Sequence, residues 1–125
     1  MLIEGMHHVC IKCTKDKINE VKSFYGELLG LPIIRSWGDG FMFDTGNSIV
    51  EVFTDAEEQL SQGAIRHFAF KTSNVEKCIE TVRAAGYKIT VEPKDLLIPS
   101  DPELLVHVAF CIGPVGEEIE FFIEK

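Results

Sequence analysis

His8-Val9-Cys10-Ile11-Lys12 and His67-Phe68-Ala69-Phe70-Lys71 are the two stretches on which the fold turns. Each opens on histidine and closes on lysine. Both read as strands, by alternation and by β-branched or aromatic content. Outward from each comes a polar break and then an amphipathic helix. The first is expected over 17–29, with Ile18, Val21, Phe24, Tyr25, Leu28 and Leu29 on one side. The second is expected over 75–85, with Val75, Cys78, Ile79 and Val82 on one side. Spacings of three and four residues give each an apolar stripe. Gly30 and Gly86 then supply the left-handed stop that ends many helices.

Three strand candidates follow each helix: 31–37, 41–45 and 48–54, then 87–91, 104–112 and 118–124. Gly38-Asp39-Gly40 and Gly46-Asn47 make the turns of the first half. A longer loop is expected over 92–103, which carries Pro93, Pro99 and Pro102. The last strands also match, Ile49-Val50-Glu51-Val52-Phe53 answering Glu118-Ile119-Glu120-Phe121-Phe122. The expectation is an α+β fold of two βαβββ modules, about 5–55 and 64–125, in a single domain of 125 residues. A module with its helix on one sheet face leaves the other face bare. Two modules covering those faces together would form a curled mixed sheet around a cleft.

Composition narrows the function. The chain is 46% hydrophobic and 26% charged, ordinary for a globular domain. Its net charge of −8 argues against nucleic acid or an anionic membrane as the main partner. No apolar run approaches the roughly 20 residues of a membrane span. Met1-Leu2-Ile3-Glu4-Gly5 has neither the basic lead nor the apolar core of a signal peptide, so a cytoplasmic location is expected. Cys10 and Cys13 form a C-x-x-C, but within an alternating strand, where residues three apart face opposite sides. All four cysteines are therefore expected to be free and mostly buried.

Alternation also assigns faces. If Val9 and Ile11 pack under the helix, His8, Cys10 and Lys12 face the open side. By the same parity His67, Ala69 and Lys71 face it in the repeat, as do Glu51 and Glu120 in the closing strands. Four strands thus each deliver one imidazole or carboxylate. Charged groups in the middle of apolar strands are costly unless paired or bound to metal. Two histidines and two carboxylates suit a divalent Ni, Co, Zn, Mn or Fe, so His8, Glu51, His67 and Glu120 are the metal-ligand candidates. Open positions on such an ion would take a substrate oxygen. His7 has the opposite parity and reads as structural. His107 shows no matching carboxylate and reads as core or rim. Lys12 and Lys71 lie farther along the open side, as solvated rim lysines or as anion-binding groups. Phe43, Phe53, Phe122 and Trp37 read as core packing ahead of a pocket wall.

At these residues the sequence resembles the vicinal oxygen chelate superfamily, over nearly the whole chain, and within it glyoxalase I. His8-Val9 and Phe24-Tyr25…Leu29-Gly30-Leu31 are similar to the family's opening strand and helix end. Ile65-Arg66-His67-Phe68-Ala69-Phe70 resembles its second histidine strand. Gly113-Pro114-Val115-Gly116-Glu117-Glu118-Ile119-Glu120 resembles its Asp-Pro-Asp-Gly-Asn-x-Ile-Glu ending, with departures at Gly113, Val115 and Glu117. The resemblance implies one divalent metal, nickel preferred, and a lyase that converts a 2-oxoaldehyde hemithioacetal to a lactoyl-thioester. It implies Glu120 as the proton-transferring base and Glu51 as ligand and second acid/base. Lys12 falls where such enzymes place an arginine for a glutathione carboxylate, and Asp55 where they often have Asn. Activity with a different thiol, or only weak activity with glutathione, is therefore expected, with Lys12, Lys71 and Asp55 as substrate-binding candidates. Family members of this size usually pair, so a homodimer acting on a small molecule is expected. The alternatives are an acyl-CoA epimerase of the methylmalonyl-CoA type, and a protein that sequesters a small drug or toxin without turnover.

Overall fold

The computed structural model describes residue 1 and residues 4–125. Residues 2 and 3, part of the N-terminal stretch read above for a signal peptide, lie outside the described residues. The chain divides into two compact units, 1–61 and 62–125.

The first unit holds β1 (His8–Lys12), β2 (Ile33–Trp37), β3 (Gly40–Asp44) and β4 (Ile49–Phe53) in the order β1-β4-β3-β2. β1 runs parallel to β4, and the other pairs are antiparallel. A helical segment makes the crossover from β1 to β2. It is not one regular helix, as expected for 17–29. A 3-10 turn at Lys15–Lys17 leads into α1 (Ile18–Val21), and a π-helical stretch at Lys22–Leu28 follows. The wider turn lets the Leu29 N–H reach back five residues to the Phe24 carbonyl at 3.0 Å. Within it sits Gly26, where a Cβ would lie 3.4 Å from the Phe43 ring. Val21, Phe24 and Tyr25 are fully buried, with Tyr25 against Phe43 and Phe43 against Phe41. Val50 and Val52 complete this core. Phe43 is thus a core residue, as the sequence implied.

The second unit repeats the plan. β5 (Phe68–Lys71), β6 (Ile89–Ile98), β7 (Leu104–Ile112) and β8 (Glu118–Glu124) form a sheet in the order β5-β8-β7-β6. β5 runs parallel to β8, with β6-β7 and β7-β8 antiparallel. α2 (Val75–Ala84) packs on β6, β7 and β8. The Asn74 side chain caps it, accepting the Lys77 N–H at 3.0 Å. Val75, Ile79 and Val82 from the helix and Ala109, Cys111, Ile119 and Phe121 from the sheet are all buried. Gly30 and Gly86 have φ of 76° and 93°, the left-handed stops their positions implied.

One expectation fails here. Residues 92–103 do not form a long loop, because β6 continues to Ile98 and pairs with β7 as far as Ile98↔Leu104. The ladder absorbs Pro93 by shifting register between Ile89 and Val91 and again between Val91 and Lys94. β6 is an edge strand, and proline is tolerated at such irregular edges because a missing N–H there breaks no ladder bond. No helix among the described residues is long and apolar enough to cross a membrane.

Candidate metal centre

Parallel pairing places one acid near one histidine in each unit, His8 opening β1 and His67 directly preceding β5. In the first, the register sets His8 opposite Ile49 and Cys10 opposite Glu51. The His8 Nε2 then faces the Glu51 Oε1 at 3.6 Å. In the second, Ala69 lies opposite Glu120, and the His67 Nε2 faces the Glu120 Oε1 at 3.3 Å. The two arrangements are the same arrangement, one strand pair at a time. Both carboxylates are largely sheltered, with side-chain exposure of 12%, while the imidazoles are 40% and 41% exposed.

The 3.3 Å of the second pair falls within the range for donors that share an ion, and the 3.6 Å of the first lies just above it. Two ligands each about 2.1 Å from one cation lie roughly 3.0 Å apart at a right angle and roughly 3.4 Å apart at the tetrahedral angle. An N–H···O bond is usually shorter, about 2.9 Å. Imidazole nitrogen and carboxylate oxygen are moreover the donor types that first-row divalent metals prefer. Within each unit no third His, Cys, Asp or Glu among the described residues joins its pair in a metal-holding group. Each pair by itself supplies two donors, one imidazole nitrogen and one carboxylate oxygen.

The surroundings of the two pairs differ. Glu51 has Cys10 on one side and Met42 on the other. Desolvation of its partly sheltered sulfur, with the negative Glu51 adjacent, pushes the Cys10 thiol up to about 11 although the residue as a whole is exposed, so it stays protonated near neutrality. Glu120 has Ala69 and Phe110 as cross-strand neighbours. The His67 ring meets Phe110 edge-on at 5.2 Å. Burial lifts the Glu120 carboxyl above the ordinary carboxylate range, and the nearby His67 works against that rise.

Farther along the first sheet, Lys12 and Asp55 meet in an ion pair at 3.3 Å, both well exposed. The lysine charge is therefore balanced where it stands. Lys71 ends β5 and is exposed, at the register of Phe122. Trp37 and Phe53 touch edge-on at 6.2 Å and are 40% and 37% exposed, so they are not core. Phe53 shares the parity of Glu51, which puts this aromatic pair on the same sheet face as the acid.

His7 lies directly before β1, and its Nδ1 stands 2.9 Å from the Nδ1 of His8. His107, read as lacking a carboxylate partner, has two. Its Nδ1 meets Asp95 at 2.8 Å, and its Nε2 meets Glu76. These partners come from β6 and α2, which sequence spacing alone does not bring together. The four cysteines are all free. Cys13 and Cys111 are buried, Cys78 is half-buried, and Cys10 is exposed.

Comparison with known proteins bears on the family and the fold. The sequence profile of the Glyoxalase/Bleomycin resistance protein/Dioxygenase superfamily matches residues 5–98. No curated protein matches the chain in sequence. Among solved structures, a glyoxalase family protein from Bacillus anthracis is 25% identical, with a TM-score of 0.71 over 98% of this chain and 97% of its own. A glyoxalase family protein from Enterococcus faecalis reaches 0.75 at 21% identity, covering 98% of this chain and 100% of its own. A glyoxalase/dioxygenase from Nostoc punctiforme reaches 0.74 at 16% identity, covering 98% and 92%. The last two are likenesses of fold.

Proposed function

The chain belongs to the Glyoxalase/Bleomycin resistance protein/Dioxygenase superfamily, the vicinal oxygen chelate proteins, and from that premise we propose that it is a metal-dependent lyase of the glyoxalase I kind. The supporting observation is the repeated His–Glu pair, His8 with Glu51 at 3.6 Å and His67 with Glu120 at 3.3 Å. The proposal takes these four residues as one ligand set for one divalent cation, nickel by preference, with zinc, cobalt or manganese as substitutes. Such a cation, when bound, supplies Lewis-acid polarisation of the oxygens beside the reacting carbon. The substrate would be the hemithioacetal of a 2-oxoaldehyde and the product a lactoyl-thioester.

The residues divide the work. Glu120 takes the proton from one carbon and returns it to its neighbour. Its carboxyl is largely sheltered and has the His67 Nε2 at 3.3 Å. Glu51, next to the protonated Cys10, is a ligand and the second acid/base. Trp37 and Phe53 offer an apolar wall on the Glu51 face. Lys12 and Asp55 pair with each other at 3.3 Å, so the lysine offers a thiol's carboxylate less free charge than an unpaired cation would, and the Asp55 carboxylate repels it. Lys71 is a third substrate-binding candidate. The reaction would take place in the cytoplasm.

The deciding experiment is turnover of methylglyoxal with glutathione, cysteine, bacillithiol and coenzyme A in turn, on metal-loaded protein. The expected result is activity with a thiol other than glutathione, or only weak activity with glutathione, lowered by Lys12→Ala. Efficient glutathione turnover that Lys12→Ala leaves unchanged would overturn the cofactor reading. Metal bound without turnover of any hemithioacetal would move the assignment to an epimerase or a sequestering protein.

A further inference from the structure

His8 and His67 hold repeat-equivalent places but are steadied differently. His67 leans edge-on against Phe110. Its chain neighbour Arg66 is engaged elsewhere, donating to the Gly63 carbonyl and accepting from Gln62. His8 has instead its own neighbour. The rings of His7 and His8 meet edge-on, with centroids 5.2 Å apart and planes at 86°. Their Nδ1 atoms are 2.9 Å apart, a hydrogen-bond distance. The His7 backbone is itself tied to the sheet, because the Ser48 hydroxyl donates to its carbonyl at 3.3 Å. Ser48 directly precedes β4, whose first residue, Ile49, pairs with His8.

A neutral imidazole carries one proton and one lone pair, so the bond made at one nitrogen fixes what the other can do. At His8 the bond to His7 uses Nδ1, and Nε2 is the atom turned to Glu51. If His8 donates from Nδ1, its Nε2 keeps the lone pair that a metal needs. His7 then accepts at Nδ1 and carries its own proton on Nε2. Partners of this kind, bound to the far nitrogen of a ligating histidine, set its tautomer and ring orientation.

We propose that His7 is a positioning residue of the metal site, holding His8 in the Nδ1–H form with Nε2 presented beside Glu51. The inference rests on the metal reading above, and the test separates the two. His7 is exposed, so its replacement threatens no core. Asn can place an acceptor near the Nδ1 position, and Ala cannot. Nitrogen-15 spectra of the metal-free protein report the His8 tautomer, and calorimetric titration with Ni²⁺ or Zn²⁺ alone reports affinity. His7→Ala is expected to release the tautomer and weaken the metal by about 10–100-fold, with His7→Asn restoring affinity to within about threefold of the parent. A His8 tautomer unchanged in His7→Ala would overturn this inference and leave the metal reading standing. So would equal weakening by Ala and Asn. If His8→Ala binds metal as the parent does, His8 is no ligand and both readings fall together.

Discussion

Glu51 and Glu120 are carboxylates set into strands whose other residues are mainly apolar, and each has an imidazole nitrogen within 3.6 Å. A buried acid left without partners is expensive, so the pairing gives a physical reason for these residues to be where they are. Their environments nevertheless differ. Glu120 lies between Ala69 and Phe110, and burial lifts its carboxyl, whereas Glu51 lies between Cys10 and Met42. The proposed function gives Glu120 the proton-transferring role, and that role is open to test. Glu120→Gln is expected to lower kcat by about 10²–10⁴ with a much smaller change in KM. The rates must be normalised to bound metal, because the substitution also removes a ligand. A normalised rate close to the parent's would take Glu120 out of the base role. The ligand role has its own check, elemental analysis of protein purified without chelator or nickel affinity. One ion per four-residue set is expected, and His67→Ala should lose it. Undiminished metal in that variant would refute the assignment.

At the scale of elements, α2 and the edge strand β6 are both fastened to β7 through one imidazole. His107 meets Glu76 of α2 and Asp95 of β6, and Asp95 also takes the Lys125 amine at 3.2 Å. Hydrogen bonding to Glu76 and then Asp95 raises the His107 pKa above its ordinary 6.5. The same bonds lower both carboxyls. A raised imidazole pKa contributes stability that is full below about 6.5 and is lost as pH rises through the folded value. Lowered carboxyls contribute stability that is present above about 4 and is lost as pH falls through their folded values. The clamp is therefore strongest between those limits. The urea midpoint should fall as pH rises past neutrality, and His107→Gln should flatten that limb of the profile. An unchanged limb in the variant would show the clamp to be ineffective. None of this was legible in the sequence, because Glu76, Asp95 and His107 lie on three elements and meet only after packing. What could be read was what repeats locally: the histidines at β1 and β5, the glycine stops and the parity that put Glu51 and Glu120 on one type of face. The π-helical stretch was hidden for a different reason. Val21, Phe24 and Tyr25 keep an apolar stripe in either helix form, and the close approach of Gly26 to Phe43 is tertiary. Likewise Pro93 read as a loop signal, because the register shifts that accommodate it belong to the pairing with β7.

For the whole molecule, the open question is what covers its apolar edges. β2 and β6 are the outer strands of their sheets on the side away from β1 and β5. Every residue of β2 is exposed, including Ile33, Ile34 and Trp37 at 41%, 47% and 40%. Leu96 and Leu97 of β6 and Leu105 of β7 are also exposed, at 41%, 51% and 44%. Leu97 and Leu105 are direct register partners, so this second group is contiguous. An outer strand with apolar side chains and unpaired backbone groups is an aggregation hazard unless something covers it. A two-fold partner covers the same patch on both copies at once and closes the assembly, which open-ended stacking does not. The chain is accordingly expected to sediment as a homodimer at micromolar concentration. Leu97→Glu tests one patch and Ile34→Glu the other, because a buried unpaired charge would be placed against its own symmetry mate. Either substitution that converts dimer to monomer, with the circular dichroism spectrum retained, identifies the patch that pairs. A parent protein that sediments only as a monomer would show that these edges stay in water and that the expectation of a dimer is wrong.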